Sequence, residues 1–199
     1  ALDFFINSSA IGYYGTKKSA QIFKENDVSG TDFLAKLCFD WEKEALRFNE
    51  LNIRTIIIRT GIVLTKHDGA LEKIKLPIKF GILPIFANGK QLFSWIHIDD
   101  LIAVFINSIT NKNYIGPYNA AAPINNTYLE FNTKIAEVLQ KKVIPIKTPT
   151  FILRLVFGEF AETLTRGNQI AVEKLTNEGF NFKFKDLDSA LSNLLIKKD

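Results

Sequence analysis

Residues 53–64, IRTIIIRTGIVL, constrain the fold more than any other stretch of the chain. The isoleucine run shows no alternation of polar and apolar residues, so the strand it predicts is covered on both faces, as in parallel α/β sheets. Residues 2–15, LDFFINSSAIGYYG, begin in the same way with Leu2, Phe4, Phe5 and Ile6, then open into small, hydroxyl-bearing and tyrosine residues. Between the two, residues 31–50 carry Leu34, Leu37, Cys38, Trp41, Ala45 and Phe48 on one apolar stripe of helical spacing. Two buried strands joined by a helix make a βαβ unit. Ligands of such sheets bind outside the carboxyl ends of the strands. Ser8, Ser9, Tyr13 and Tyr14 fall there after the first strand, and Thr60, Gly61 and Ile62 at the end of the second. The plainer readings are an ordinary Ser/Gly turn and a glycine bend.

Further along, residues 67–69 read as a turn, 70–80 as a short helix limited by Pro77, and 81–90 as a loop rich in Gly, Pro and Asn. Trp95, Ile96, His97 and Ile98 predict a short strand, with Asp99 or Asp100 as N-cap of a helix over 100–110. His97 has two readings, a buried hydrogen-bonded ring or a ligand contact. Residues 116–122 supply another strand, Thr127 and Glu130 form a capping-box pattern opening a helix to residue 140, and 142–147 make a short strand. From residue 148 the composition shifts to successive short helices, among them the apolar 151–158 and the amphipathic 186–195. Gly179 suits a helix C-cap, and Phe180, Phe182 and Phe184 alternate as a final strand. The expectation is an α/β domain over 1–147 and a small, mostly helical domain over 148–199.

Composition serves mainly to exclude. The single cysteine, Cys38, rules out an internal disulfide framework and reads as a packed thiol; with only two histidines, a Cys/His zinc site is not expected. The net charge of +4 comes from lysines interspersed with acids rather than from a basic stripe, which argues against nucleic acid as a partner. No apolar run approaches the roughly 18 residues of a membrane span, and no signal peptide is visible, so the expected setting is cytoplasmic with no membrane partner. The apolar 151–158 segment is expected to pack on the main sheet or on a second subunit of a homodimer. The chain has no methionine, and further sequence is expected before Ala1.

Taken together, FFINSSAIGYYG, DFLAKLCFDWE, RTGIVL, SWIHIDDL and PYNAAAP resemble the second half of an extended short-chain dehydrogenase/reductase. More narrowly they are similar to its atypical NAD-dependent epimerase/dehydratase-like branch, whose members are described as nucleotide-sugar epimerase-like. LRLVFGEFAETLTRGNQ and LTNEGFNFKFKDLDSALSNLL are similar to the small C-terminal domain of that branch. The resemblance implies the C-terminal portion of a Rossmann-like parallel sheet, NAD or NADP as cofactor, and a redox step on a small-molecule substrate such as a sugar nucleotide. In such enzymes a tyrosine is the acid/base, a lysine four residues later lowers its pKa, and a serine or threonine polarises the substrate oxygen. Mapped here, Lys36 matches the lysine, and Ser9 and Tyr14, off the motif positions, are expected to line the reaction centre as the other catalytic residues. Ser8, Lys36, Thr60, Gly61 and Ile62 are the implied cofactor contacts, and Tyr13, Trp95 and His97 the substrate contacts, with no metal.

Several positions depart from that pattern. Asp32 stands where the tyrosine is expected, Ala10 at the usual Ser/Thr position, and Phe93 where an arginine commonly grips the substrate diphosphate. No GxGxxG follows any strand. This chain by itself is therefore expected to bind a dinucleotide weakly or not at all. The rival expectation is a non-catalytic dinucleotide- or ligand-binding regulatory protein that kept the fold and lost the tyrosine relay.

Overall fold

A computed structural model describes residues 2–16, 21–86, 88–147, 149, 151, 155 and 167–196. Strand β1 (Phe4–Ala10) is followed by a 3-10 turn over Ile11–Tyr14 and then by helix α1 (Phe33–Leu46). Strand β3 (Arg54–Thr60) returns parallel to β1, with Phe4 opposite Arg54 and Ala10 opposite Thr60. Strand β8 (Gly116–Ala120) adds in parallel on the other side of β3, giving the order β1-β3-β8. The middle strand is the isoleucine run. Ile56, Ile57 and Ile58 have no exposed surface, and each contributes about 1.5–3 kcal/mol through burial.

The 53–64 segment is two strands rather than the single one its sequence suggested. At Gly61 the chain leaves β3, and β4 (Ile62–Leu64) pairs instead with β7 (Trp95–His97). The Gly61 N–H donates to Ala120 O at 2.9 Å, and the next N–H, of Ile62, to Ser94 O at 2.9 Å. A Cβ on residue 61 would stand 3.0 Å from Ser94 O and 3.3 Å from Ala120 O, so a side chain at the change of partner would press on both carbonyls.

Other expectations are corrected in similar local terms. The 81–90 loop contains strand β5 (Ile82–Ile85), which pairs in parallel with β10 (Ile144–Lys147); Pro84 is tolerated because this two-stranded pair is all edge. The helix read over 31–50 ends at Leu46 and tightens to 3-10 geometry through Leu51, after which Asn52 takes a left-handed conformation at φ 57°. Helix α3 (Ile98–Thr110) is capped by neither aspartate but by His97, whose ring accepts from Asp99 N. At the other end of α3, Arg54 Nη1 donates to Ser108 O at 2.8 Å. A carbonyl of the last turn thereby gains a charged partner. Strand β2 (Ile22–Phe23) pairs with β11 (Gln169–Ile170), a link between distant segments that no local pattern announced. Strands β6 (Leu92–Phe93) and β9 (Asn126–Thr127) pair antiparallel, and the capping box opening α4 (Tyr128–Val138) is present as expected. Helix α2 (Ala70–Lys79) holds Pro77 in its last turn.

Phe180, Phe182 and Phe184 do not form a strand. They lie in irregular chain between α5 (Glu173–Asn177) and α6 (Leu187–Leu195), each buried. Phe180 and Phe182 enter the apolar cluster of Ile56, Ile58, Val104 and Tyr118. Phe184, Leu187 and Leu191 enter the other, with Trp95, Phe93, Tyr128 and Phe131. Of the helix expected over 151–158, only Phe151 and Leu155 are among the described residues, both helical and exposed; the rest lies outside them. Among the described residues no helix is long and apolar enough to cross a membrane.

Candidate functional site

One face of the sheet, beneath α1, holds a buried polar hub. Arg59 donates through Nε to Glu42 Oε1 at 2.9 Å and through Nη2 to Glu42 Oε2 at 2.7 Å, a bidentate pair with side chains only 3% and 5% exposed. Ser9 Oγ donates to Glu42 Oε1 at 2.7 Å. Arg59 Nη1 reaches the Tyr14 hydroxyl at 2.9 Å and the Glu25 carbonyl at 3.0 Å, while Tyr14 donates to Asn119 Oδ1 at 2.7 Å. Burial works against the Arg59 charge, but Glu42 and Tyr14 outweigh it and the guanidinium is held more firmly protonated. Burial pushes the Tyr14 phenol up to about 12 despite Arg59. Every member has partners, so the hub fixes the strand ends and the turn after β1 without leaving a charge unpaired.

A cleft of about 490 Å³ opens at the carboxyl ends of β1 and β3. Its lining includes Ala10, Gly12, Leu34, Cys38, Thr60 and Lys73. The volume lies within the roughly 300–1,000 Å³ of small-molecule sites, and its position matches ligand sites in open α/β sheets. Helix α2 begins at its wall, with Gly69 as N-cap at φ 81° and no side chain capping the first turn. Burial raises the Cys38 thiol, so it is a wall of the cleft rather than a nucleophile.

The expected site residues divide between these two places. Thr60, Gly61 and Ile62 line the cleft. Ser9 and Tyr14 do not reach it: both are buried in the hub with their hydroxyls engaged, so the structure does not present Tyr14 as an acid/base. Tyr13 stacks on the Arg59 guanidinium, 3.5 Å from ring centroid to Cζ, and lines a separate hollow with Glu25 and Pro117. Lys36 is exposed and does not line the cleft; it is offset by about 200° from Leu34 and Cys38, which face it. Ser8 is also exposed. Trp95 is a core residue with its indole N–H on Asn126 Oδ1 at 3.2 Å. His97 is buried too, stacked on Phe184 at 3.7 Å between centroids. Its Nδ1 accepts from Asp99 N at 3.0 Å, so Nε2 carries the proton and donates to Asn193 Oδ1 at 3.2 Å. Asp32, at the relay position, caps α1 through Ala35 N at 3.0 Å and takes Thr16 N at 2.8 Å.

Motif spacing passes over Glu42 and Arg59, although the sequence carries a signal for both. Glu42 sits four residues after Cys38 on the apolar stripe of α1, and Arg59 interrupts a strand that must be covered on both faces. A charge at each of two obligatorily buried positions calls for a partner.

A parallel α/β sheet with an apolar cleft at its carboxyl ends and a helix running alongside defines a Rossmann-like fold. Comparison with known proteins agrees. Residues 148–194 match the family described as domain of unknown function (DUF1731). An epimerase family protein of Mycobacterium leprae (strain TN) is 35% identical over 189 residues, covering 94% of this chain and 61% of that protein. Human epimerase family protein SDR39U1 (isoform 2), crystallised with NADPH, superposes with TM-score 0.86 at 25% identity, covering 96% of this chain and 65% of that one. The nucleoside-diphosphate sugar epimerase of Corynebacterium glutamicum gives TM-score 0.79 at 30% identity, covering 97% of this chain and 37% of that one. Over nearly its whole length the chain is similar to atypical, epimerase-like short-chain dehydrogenases/reductases, and its C-terminal residues 148–194 match a small domain of unknown function. It spans about three fifths of the length of the Mycobacterium relative.

Proposed function

We propose that this chain forms the nicotinamide-side wall of an NAD(P) site in an epimerase/dehydratase-like oxidoreductase acting on a small carbonyl or carbinol compound, with a sugar nucleotide as the substrate class. The cleft at the ends of β1 and β3 carries the proposal. It is apolar and roomy enough for a nicotinamide ring with its ribose, and Thr60, Gly61 and Ile62 would hold that end of the cofactor. When bound, the cofactor supplies hydride transfer. The chain's own residues bind, orient and exclude water: Leu34, Ile62 and Val63 keep the cleft dry, and the hub behind Ser9 keeps the β1 end rigid. The uncapped start of α2, with Lys73 on the same wall, suits a phosphate group of the ligand. The two relatives whose names mention NADPH and a nucleoside-diphosphate sugar support the same reading.

A second reading, a dinucleotide-binding protein without catalysis, is favoured by one observation. Asp32 and Tyr14 are both committed to structural hydrogen bonds. Titration of the natural protein with NADPH and NADH, followed by nicotinamide fluorescence beside its intact mass, tests the proposal. Saturable binding abolished by the cleft-filling Cys38→Phe is the expected result, and no saturable change with either nucleotide would sink the proposal. Hydride transfer to any member of a carbonyl panel would remove the second reading.

A further inference from the structure

The two walls of the cleft part where β1 and β3 end. One continues as the turn Ile11–Tyr14, with Leu34 and Cys38 of α1 beside it; the other continues as β4, whose Ile62 N–H is held by Ser94 O at 2.9 Å. A residue from far along the chain joins them again. Asn168 Nδ2 donates to Gly15 O at the end of the turn, and Asn168 O accepts from Ser94 Oγ at 2.7 Å. The side chain thus holds the first wall and the main chain holds the second. A main-chain carbonyl only accepts, so the amide must present its NH2 to Gly15. Asn168 and Ser94 are 8% and 6% exposed, which keeps both bonds from competing water.

This clip is anchored on both sides and stands at the cleft. Just after it, β11 pairs with β2, and Ala171 N donates to Phe23 O at 2.9 Å. Just before it, a Cβ on residue 167 would fall on the Leu92 carbonyl, so Gly167 lets the main chain lie flat against β6. Gly15, Asp32, Ser94 and Asn168 line a narrow neck, and Ile11, Gly12, Leu34 and Ile62 border both the neck and the cleft. Asn168 falls within residues 148–194, the match to a domain of unknown function.

We propose that Asn168 is a positioning residue that clips the two walls together and sets the width of the cleft, so that this part of the C-terminal domain holds the ligand site in shape. It acts through Gly15 and Ser94 rather than by touching ligand. A ligand that fits the clipped width and the clip itself favour each other by the same factor, because such coupling is reciprocal. For the identity of that ligand the inference rests on the reading above; the clip is read from its own two bonds.

Cys38 reports the width without any ligand, since it lines the cleft, is 5% exposed and is the single cysteine of the chain. The natural protein and its variants are treated with a dithiodipyridine reagent, and modification is followed by mass spectrometry of the peptide that holds Cys38. Asn168→Asp keeps the shape of the side chain but sets a charged oxygen against Gly15 O. At pH 8 its Cys38 should react about tenfold faster than in the natural protein, the worth of one buried hydrogen bond. Asp32 is the titratable side chain on the neck, and its charge and the burial both favour the protonated carboxyl in Asn168→Asp, which donates to Gly15 O again. At pH 5 the ratio to the natural protein should therefore return toward one. General loosening is judged by Asp186→Ala, which removes the cap on Ser189 N at the start of α6 and should leave the rate within about twofold of natural. A ratio below about twofold for Asn168→Asp at pH 8, the same raised ratio at both pH values, or an equal rise in Asp186→Ala would overturn the proposal. If Asn168→Asp does not fold, Ser94→Ala removes the other bond and is held to the same rates at pH 8. NADPH titration in the same samples separates the two ideas: nucleotide binding without the expected Cys38 rates refutes the clip alone, and those rates without nucleotide binding refute the cofactor reading alone.

Discussion

Removal of the Glu42 carboxylate is the most demanding perturbation the fold offers. In Glu42→Ala, Arg59 loses both charge-assisted bonds, at 2.9 and 2.7 Å, and Ser9 loses its acceptor at 2.7 Å. What remains is a guanidinium 3% exposed, stacked on the Tyr13 ring and hydrogen-bonded among the described residues to Tyr14 and the Glu25 carbonyl. Breaking one side of such a pair costs about 3–5 kcal/mol because the surviving charge is uncompensated. A domain of this size loses roughly 2–4 °C of Tm per kcal/mol, so a loss of about 4 kcal/mol predicts a fall of about 8–16 °C. The loss is far beyond what an exposed pair such as Arg47–Glu44 would give. Urea and thermal unfolding followed by circular dichroism measure it. Raising salt should change it little, because a buried pair is screened weakly. The double variant Glu42→Leu with Arg59→Met should recover most of the loss, since both desolvated charges go together. A Tm fall under about 2 °C for Glu42→Ala, or a double variant as damaged as the sum of the two singles, would refute the reasoning.

Three further outcomes are expected. Burial depresses the pKa of His97 below its ordinary 6.5, so the unfolded chain binds the proton more readily. The contribution of His97 is complete above about pH 6.5 and is lost as pH falls from there through the folded value, and urea midpoints at pH 7.5 and 5.5 should differ more in the natural protein than in His97→Gln. Tyr14 and Tyr114 are both raised to about 12 by burial, so ultraviolet titration between pH 10 and 11 should show fewer phenolates than the urea-unfolded chain; equal ionisation would contradict their burial. Lys36 is exposed, so Lys36→Ala should change stability by no more than about 0.5 kcal/mol and leave nucleotide affinity nearly unaltered. A tenfold loss of affinity would mean that Lys36 turns into the site when ligand binds.

Much of the sheet is legible in the sequence because a strand covered on both faces has a composition that few other elements share. The isoleucine run and the Thr127–Glu130 capping box are readable directly, and both are present. Gly61 reads as a place of close approach, but not as the point where the Ala120 and Ser94 carbonyls meet, since register between distant segments leaves no local mark. The β2–β11 pairing is invisible for the same reason: each partner is two residues long and they lie far apart in sequence. The candidate site is harder to read. Motif alignment assigns Lys36 by position and the turn after the first strand offers Tyr14 as a substitute, whereas their surroundings set their roles, one hydroxyl being captured by Asn119 and one lysine side chain being exposed. Of the two readings of His97, the buried and hydrogen-bonded ring is the one the structure holds.

The three phenylalanines at 180, 182 and 184 reach into different apolar clusters, two into one and the third into the other. Asp100 fastens the crossing point, accepting from Lys183 N at 2.8 Å and Phe184 N at 2.9 Å. All three follow every strand of the sheet in order of synthesis, so a nascent chain carries both clusters unsealed until this segment has left the ribosome. Contacts between such distant stretches form late and slowly. Until they form, Ile56 and Ile58 lack the part of their cover that Phe180 and Phe182 supply, and apolar surface left open in this way is prone to aggregation.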